Sequence, residues 1–183
     1  IVIPMYNTPQ EYLKELLDSV SVQSYENWQL CLADGSEDDA IKDFLEKKYR
    51  EEKRIVYRKL KENKGISENT NAAIEMASGE YIMLCDHDDI LAPDALFHIA
   101  KAFTEKNADV VYTDEDKVSM DGKHYFEPNF KPDFNLFRLR ENNYICHIFA
   151  FKKSLLEQVG AFRKEYNGAQ DFDLIFRCCE QAE

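Results

Sequence analysis

The sequence lacks the glycine-rich and cysteine-rich motifs that identify many nucleotide and metal sites. Its six glycines are scattered, so neither GxGxxG nor the GxxxxGK[ST] P-loop occurs. Its five cysteines form no CxxC pair, which argues against a zinc site and against a disulfide framework. We interpret them as reduced thiols of a cytosolic protein, buried as small hydrophobic residues.

Basic residues and long apolar runs are also scarce. Lys and Arg number 23 against 35 Asp and Glu, a formal net charge of −12, which argues against nucleic acid and anionic membrane surfaces as partners. No run approaches the roughly 20 apolar residues of a membrane-spanning helix. The chain begins at Ile1 without Met and shows no signal peptide. We expect a cytoplasmic protein, with any attachment to the inner face of the cell membrane supplied by segments outside this sequence.

Strand-like and helix-like segments alternate through the first part of the chain. Apolar runs typical of strands begin at residues 1, 28, 54, 80 and 108. Helices are predicted between them, starting at Pro9, Ser36, Ser67 and Pro93. For the first helix, Thr8 is the expected N-cap, with Pro9 as first helical residue and Glu11 completing a capping box. This pattern predicts an α/β fold with a mostly parallel central sheet flanked by helices and a Rossmann-like N-terminal half, in which ligands bind beyond the carboxyl ends of the strands.

The alternation ends near Lys117. Asp121 and Gly122 predict the turn of an antiparallel hairpin, or else an irregular excursion. An apolar run over residues 144–151 then leads into a last helix from about Ala169.

The sharpest chemical feature follows the fourth strand. Asp86, Asp88 and Asp89 lie close together, with His87 between the first two. Packed carboxylates raise one another's pKa unless a cation neutralises them, and oxygen ligands of this kind suit Mg²⁺ or Mn²⁺ beside substrate phosphates. The alternative is an acidic loop that caps the following helix, with Asp89 near its positive end.

Acidic residues also occur at other predicted edge positions. Asp34 is either a turn former or an acceptor for a base N–H or a ribose hydroxyl. Asp114, Glu115 and Asp116 belong either to a solvated hairpin or to the same edge as the first cluster, and they receive no assigned role. Asp171 is either a helix cap or a carboxylate that accepts a proton from a hydroxyl.

Together these segments resemble the family 2 glycosyltransferases with the GT-A fold. The matching motifs, in order along the chain, are IVIPMYN, LADGSED, ENKGISENTNAAIEMASGEYIMLCDHDDILAPDAL, VVYTDEDK and VGAFRKEYNGAQDFDLIFR. The TDEDK and AQDFDL segments are similar to the branch that builds bacterial surface polysaccharides. The resemblance implies one GT-A domain over residues 1–183, excised from a longer chain. Residues 1–117 would be the nucleotide-sugar-binding half, and residues 118–183 the acceptor and catalytic-base half.

The resemblance implies a base pocket at the ends of the first strands. Pro4 and Tyr6 would line this pocket, and Asp34 would contact the base. The family often carries Arg where this sequence has Thr70, so a positive contact to the base or diphosphate is missing. Lys64 is the candidate substitute.

The resemblance also implies a metal site and a catalytic base. Asp86 and Asp88 match the DxD motif, in which Asp88 would hold Mn²⁺ or Mg²⁺ on the donor diphosphate and Asp86 would contact the ribose or the metal. Asp171 matches the second position of the family's ED motif, the catalytic base. The first position is Gln170 here, so Asp171 lacks a like charge beside it. For His147, a satisfied core histidine is favoured over a contact to acceptor or metal.

These assignments predict an inverting, metal-dependent glycosyltransferase. The donor would be a UDP- or dTDP-sugar, and the acceptor a hydroxyl of a saccharide or lipid-linked saccharide in cell-surface polysaccharide or glycolipid synthesis. Two alternatives stay open. One is a non-catalytic module that binds nucleotide sugars; the other is a nucleotidyltransferase, which would want a basic Gly-rich loop where PMYNT stands.

Overall fold

The structure is a computed structural model that describes residues 1–182; the predicted domain boundary at residue 183 lies outside the described residues. The strands are β1 (Val2–Met5), β2 (Leu30–Asp34), β3 (Ile55–Lys59), β4 (Tyr81–Leu84), β5 (Val110–Tyr112), β6 (Glu115–Val118), β7 (Tyr125–Asn129) and β8 (Phe149–Lys152). The helices are α1 (Gln10–Ser21), α2 (Ala40–Lys48), α3 (Ile66–Met76), α4 (Ala95–Lys106), α5 (Leu136–Glu141), α6 (Leu155–Val159) and α7 (Gln170–Gln181), with a 3₁₀ helix at Lys164–Tyr166.

Six strands form one sheet in the order β3-β2-β1-β4-β8-β5. The four strands β3, β2, β1 and β4 run parallel, with Met5 opposite Asp34 and Asp34 opposite Lys59. β8 runs antiparallel between β4 and β5. The predicted α/β fold with a mostly parallel sheet flanked by helices is confirmed, and the carboxyl ends of β1 to β4 share one edge of the sheet.

Apolar residues on alternating strand positions build a core on each face of the sheet, because successive side chains of a strand point to opposite faces. In β1, Val2 packs with residues of α3 and α7, whereas Ile3 packs with residues of α1, α2 and α4. In β8, Phe149 and Phe151 stack on the first face with ring centroids 5.6 Å apart. Each fully buried side chain of this size contributes about 1.5–3 kcal/mol to folding, so the sheet holds its edge loops on a rigid base.

The predicted hairpin is confirmed, but the starts of two helices, α2 and α4, were predicted too early. β6 and β7 pair antiparallel around the turn that contains Gly122, which has a φ of 68°. α1 and α3 begin within one residue of their predicted starts, whereas α2 and α4 begin four and two residues later than predicted.

The expected capping box of α1 is wrong. Pro9 is the residue that precedes the helix, with an extended ψ of 134°, and no side chain caps the N-terminus. The Thr8 hydroxyl is buried and has no hydrogen-bond partner within residues 1–182. Ser36 was the predicted start of α2, but its Oγ instead accepts a hydrogen bond from Asn7 N at 2.8 Å. This bond ties the loop after β1 to the loop after β2.

Candidate active site

Asp34 ends β2 as a fully buried carboxylate with a complete set of partners. Its Oδ1 accepts a hydrogen bond from Ser36 N, and its Oδ2 accepts one from Tyr57 Oη, both at 2.8 Å. Lys59 Nζ lies 3.6 Å from the same Oδ2. Burial, and then the hydrogen bond to Asp34, raise the pKa of Tyr57 far above its ordinary value. The carboxylate is therefore fixed and charge-compensated at the edge of the sheet.

The other expected base-pocket residues are distributed along the same edge. Pro4 lines a small pocket that also contains Asp86 and Asp171. Tyr6 is 47% exposed, beyond the end of β1. Lys64 is exposed after β3, and its Nζ lies 3.6 Å from Glu62.

The acidic loop after β4 brings two carboxylates and one imidazole together. One potential ligand atom from each of Asp86, Asp89 and His147 lies within 4.8 Å of the other two. His147 Nε2 is 3.6 Å from Asp86 Oδ2. Asp89 Oδ2 accepts a hydrogen bond from Asp86 N at 3.2 Å, which folds the loop back on itself. Asp88, the second position of the DxD motif, is exposed and lies outside this three-residue group.

The direction of β8 explains why His147 reaches the acidic loop. Leu84, at the end of β4, pairs with Phe149, at the start of β8. Because the two strands are antiparallel, continuing that register by two residues sets Asp86 opposite His147. The sequence alone favours a core position for His147. An antiparallel pairing of the 144–151 run with β4 would have predicted its place beside Asp86.

The three groups influence one another's ionisation. Burial raises the pKa values of both Asp86 and Asp89, and the nearby His147 opposes that rise. The hydrogen bond that the His147 imidazolium donates to the Cys146 sulfur, together with the charge of Asp86, raises the pKa of His147 to about 9, against the effect of burial. Two desolvated carboxylates beside an imidazole are a donor set suited to a divalent cation, which would replace the proton of His147 as the positive charge that compensates their burial.

Asp171 lies in the first turn of α7 and faces the same pocket. Burial raises the pKa of its carboxyl, while His147 and a hydrogen bond from Gln170 act in the opposite direction. Gln170 Nε2 donates to Asp171 Oδ2 at 3.1 Å, and its own Oε1 accepts from Gly168 N at 2.6 Å. The amide at the first position of the ED motif therefore orients Asp171 without adding a like charge.

The pocket that contains Asp86, His147 and Asp171 is also lined by apolar and small side chains from both halves of the chain. Thr70 lies in its wall, and its hydroxyl donates to Ile66 O at 2.7 Å, so no positive charge stands where the family often has Arg. The lining residues are Val2, Pro4, Ile66, Thr70, Leu84, Cys85, Asp86, Cys146, His147, Phe162, Asp171 and Ile175.

Comparison with known sequences decides the family. The family described as "Glycosyl transferase family 2" matches residues 1–160. The chain belongs to glycosyltransferase family 2. It is therefore a glycosyltransferase, and the residues gathered at the carboxyl edge of the sheet are its candidate active site.

Curated relatives cover the whole chain. It is 41% identical, over its full length, to the uncharacterized protein y4gI of Sinorhizobium fredii, and 31% identical over 98% of its length to the O-antigen biosynthesis protein RfbC of Myxococcus xanthus. It is 30% identical over 98% of its length to the chondroitin synthase of Pasteurella multocida. The chain spans only 20%, 14% and 18% of these three proteins.

Solved structures share the fold. The S. aureus TarS 1–349 structure superposes with a TM-score of 0.78 at 23% identity, over 99% of this chain and 55% of that one. The mannosyltransferase PcManGT of Pyrobaculum calidifontis, solved with GDP-Man and Mn²⁺, gives a TM-score of 0.68 at 19% identity, over 93% and 48% of the two chains. These similarities confirm the GT-A fold. Within residues 1–182, no helix has the length and apolarity needed to cross a membrane.

Proposed function

We propose that this glycosyltransferase moves a sugar from a nucleotide-diphosphate donor to an acceptor hydroxyl, with a divalent metal and with inversion at the anomeric carbon. The acceptor is a saccharide or lipid-linked saccharide of a cell-surface polysaccharide or glycolipid. The observation that carries the proposal is the meeting of Asp86, Asp89, His147 and Asp171 at one end of the sheet. Relatives named for O-antigen and chondroitin synthesis support the class of acceptor.

The metal site would use residues from both parts of the chain. Asp86, Asp89 and His147 offer two oxygens and one nitrogen within 4.8 Å of one another, a donor set that fits Mn²⁺ or Mg²⁺. Asp88, exposed in the same loop, is the expected additional contact once the donor diphosphate is present. When bound, the ion would neutralise charge that develops on the leaving diphosphate.

Asp171 is the proposed catalytic base. Its carboxylate would accept the proton of the acceptor hydroxyl as the hydroxyl oxygen bonds to the anomeric carbon and the diphosphate leaves from the opposite face. Burial raises the pKa of Asp171, which makes it a stronger base. Gln170 holds the carboxylate by a 3.1 Å hydrogen bond and leaves it free to take the proton.

The donor base would be uracil or thymine, bound beside Pro4 and Tyr6 and contacted by Asp34. Asp86 would reach the ribose or the metal, and Lys64 would supply the positive contact that Thr70 does not. Asp34 is fully buried and held by Ser36, Tyr57 and Lys59, so its contact with the base rests on the family resemblance alone. One fold neighbour, TarS, was solved with UDP-GlcNAc and another, PcManGT, with GDP-Man, so the base must be measured.

Calorimetric titration tests the proposal. UDP is titrated into the protein with Mn²⁺ and then with EDTA, and the series is repeated with dTDP and GDP. We expect binding of UDP or dTDP that disappears with EDTA. Tight binding of GDP alone would overturn the choice of base, and binding that EDTA leaves unchanged would overturn the metal-bridged site.

A further inference from the structure

Lys131 is a lysine with a buried ammonium group. Its side chain is 1% exposed, although it follows a hairpin whose other side chains are almost all in solvent. Removing an ammonium group from water is costly unless hydrogen bonds and an opposite charge compensate it. The partners of this group therefore indicate what it does.

Each proton of the Lys131 ammonium group has an acceptor. Nζ donates to Glu115 Oε2 at 3.1 Å, to Ile145 O at 2.5 Å and to His147 O. A lysine ammonium has three protons to donate, so these acceptors satisfy it. Two of them are backbone carbonyls of the segment that carries His147.

Glu115 completes the attachment from the other side. Its Oε2 accepts from both Lys131 Nζ and His147 N, the latter at 3.1 Å. Its Oε1 accepts from Asn129 Nδ2 at 2.9 Å. The backbone of His147 is thus held at its N–H by Glu115 and at its carbonyl by Lys131.

We propose that Lys131 and Glu115 are positioning residues that hold the His147 imidazole against Asp86. This inference rests on the proposed function, in which His147 serves the metal site. With the N–H and carbonyl of His147 both fixed, only its side-chain torsions remain to place the ring. Glu115 belongs to the acidic segment after β5, whose role the sequence leaves open. Its carboxylate pairs with Lys131 and His147 within the protein, so it is not available to a ligand. Asp114 supports the same arrangement, because its Oδ1 accepts from Lys131 N at 2.8 Å.

The test variant is Lys131→Met, which keeps the aliphatic stem and removes the charge. Its matched control is Lys117→Met. Lys117 pairs with Glu127 at 2.5 Å in the same hairpin, but both side chains are about two-thirds exposed and the pair does not touch His147. Two measurements are made below the melting temperature of each variant: the ring resonances of His147 in the metal-free protein, assigned with His147→Gln, and the Kd for Mn²⁺ by electron paramagnetic resonance.

We expect Lys131→Met to move the His147 resonances and to weaken Mn²⁺ binding about tenfold, the usual size of such supporting effects. Lys117→Met should change neither. Unmoved resonances and a wild-type Kd in Lys131→Met would overturn the proposal. If Lys131→Met does not fold, Glu115→Gln, which keeps the shape and removes the charge, is held to the same two criteria.

The two proposals can fail separately. If His147→Gln binds Mn²⁺ like the wild type, the metal role of His147 is wrong. The resonance shift in metal-free Lys131→Met then still decides whether Lys131 positions the ring.

Discussion

His147 Nε2 lies 3.6 Å from Asp86 Oδ2, and the contact joins the acidic loop after β4 to the segment that leads into β8. Neither residue is near the other in sequence. The antiparallel pairing of Leu84 with Phe149 is what makes them neighbours. The candidate metal site is therefore not complete within the acidic loop: its third residue, His147, comes from another part of the chain.

The first prediction separates the two carboxylates that follow Asp86. Asp89→Asn should weaken Mn²⁺ binding to the donor-free protein at least tenfold, because Asp89 is one of the three residues proposed to bind the metal and an amide oxygen is a weaker ligand than a carboxylate oxygen. Asp88→Asn should leave that affinity within about twofold and instead reduce Mn²⁺-dependent UDP binding. Electron paramagnetic resonance measures the first effect and calorimetry the second.

The same pair of variants can contradict this arrangement. Asn at position 89 keeps an oxygen to accept the hydrogen bond from Asp86 N, so the loop should stay folded. Should Asp88→Asn abolish Mn²⁺ binding while Asp89→Asn does not, the DxD assignment taken from the resemblance would be right and the three-residue group wrong.

The second prediction concerns the proposed base. Asp171→Asn should lower the rate of UDP release from the UDP-sugar that supports turnover by about 10²- to 10⁴-fold, the usual contribution of a positioned base. The Kd for UDP with Mn²⁺ should change little, because the variant keeps the size of the side chain. Turnover within threefold of wild type would show that another group takes the proton.

The third prediction uses Asp173, two residues further along α7, as a contrast. Its carboxylate is 6% exposed and lies between Arg163 and Arg177, with Arg177 Nη2 at 2.7 Å. Burial opposes ionisation, but the two guanidinium groups outweigh it and lower the pKa of Asp173. Asp173→Asn should reduce the free energy of unfolding by about 2 kcal/mol, because it removes the carboxylate that pairs with the largely buried guanidinium of Arg177.

Urea denaturation checks this contrast. Asp171→Asn should keep the wild-type free energy of unfolding within about 1 kcal/mol, since it removes a desolvated charge instead of a paired one. Equal losses of stability in both variants would mean that Asp171 is part of the scaffold.

Much of this fold could be predicted from the sequence because its signals are local. Strand and helix periodicities located β1 to β5, α1 to α4 and α7, but not the short helices α5 and α6, and the motifs selected Asp86 and Asp171. The start of α2 was missed because Ser36, its predicted first residue, instead bonds to Asn7 in the neighbouring loop. A core position was favoured for His147, and Lys131 was not singled out, because their proposed roles arise from strand pairing and burial, which leave no periodic signal.

The fourth prediction is a pH dependence of stability at Glu52. Its oxygens accept hydrogen bonds from Arg54 Nε at 2.9 Å and Nη2 at 2.6 Å, and this pairing lowers the pKa of Glu52 from 4.5 to about 2. A lowered folded-state pKa stabilises the protein above pH 4.5, and the contribution is lost as the pH falls toward 2. Glu52→Gln should cost about 1 kcal/mol at pH 7, and that difference should shrink between pH 4.5 and 2.

Denaturant titrations across this pH range measure the difference, with Glu51→Gln as control. Glu51 is the exposed neighbour of Glu52, so its variant should show no comparable pH-dependent difference. A cost for Glu52→Gln that is constant from pH 7 to pH 2 would contradict the ion pair as its source.

The fifth prediction concerns thiol reactivity. Cys146 is exposed, whereas the other four cysteines are buried, and burial raises the pKa values of Cys178 and Cys179 to about 12. Because the thiolate is the reactive form, iodoacetamide at pH 8 should add one group to the folded protein, at Cys146. Peptide mass spectrometry locates the adduct.

The position of Cys146 gives that adduct a functional consequence. Cys146 lines the same pocket as Asp86 and Asp171, so the added group should occupy space needed by the donor and weaken Mn²⁺-dependent UDP binding at least tenfold. Cys146→Ser should take no adduct and keep its affinity after treatment, because the hydroxyl is similar in size and does not react. If labelled wild-type protein binds UDP as before, the donor binds away from this pocket. That result would count against the proposal that Asp86 contacts the nucleotide-sugar donor.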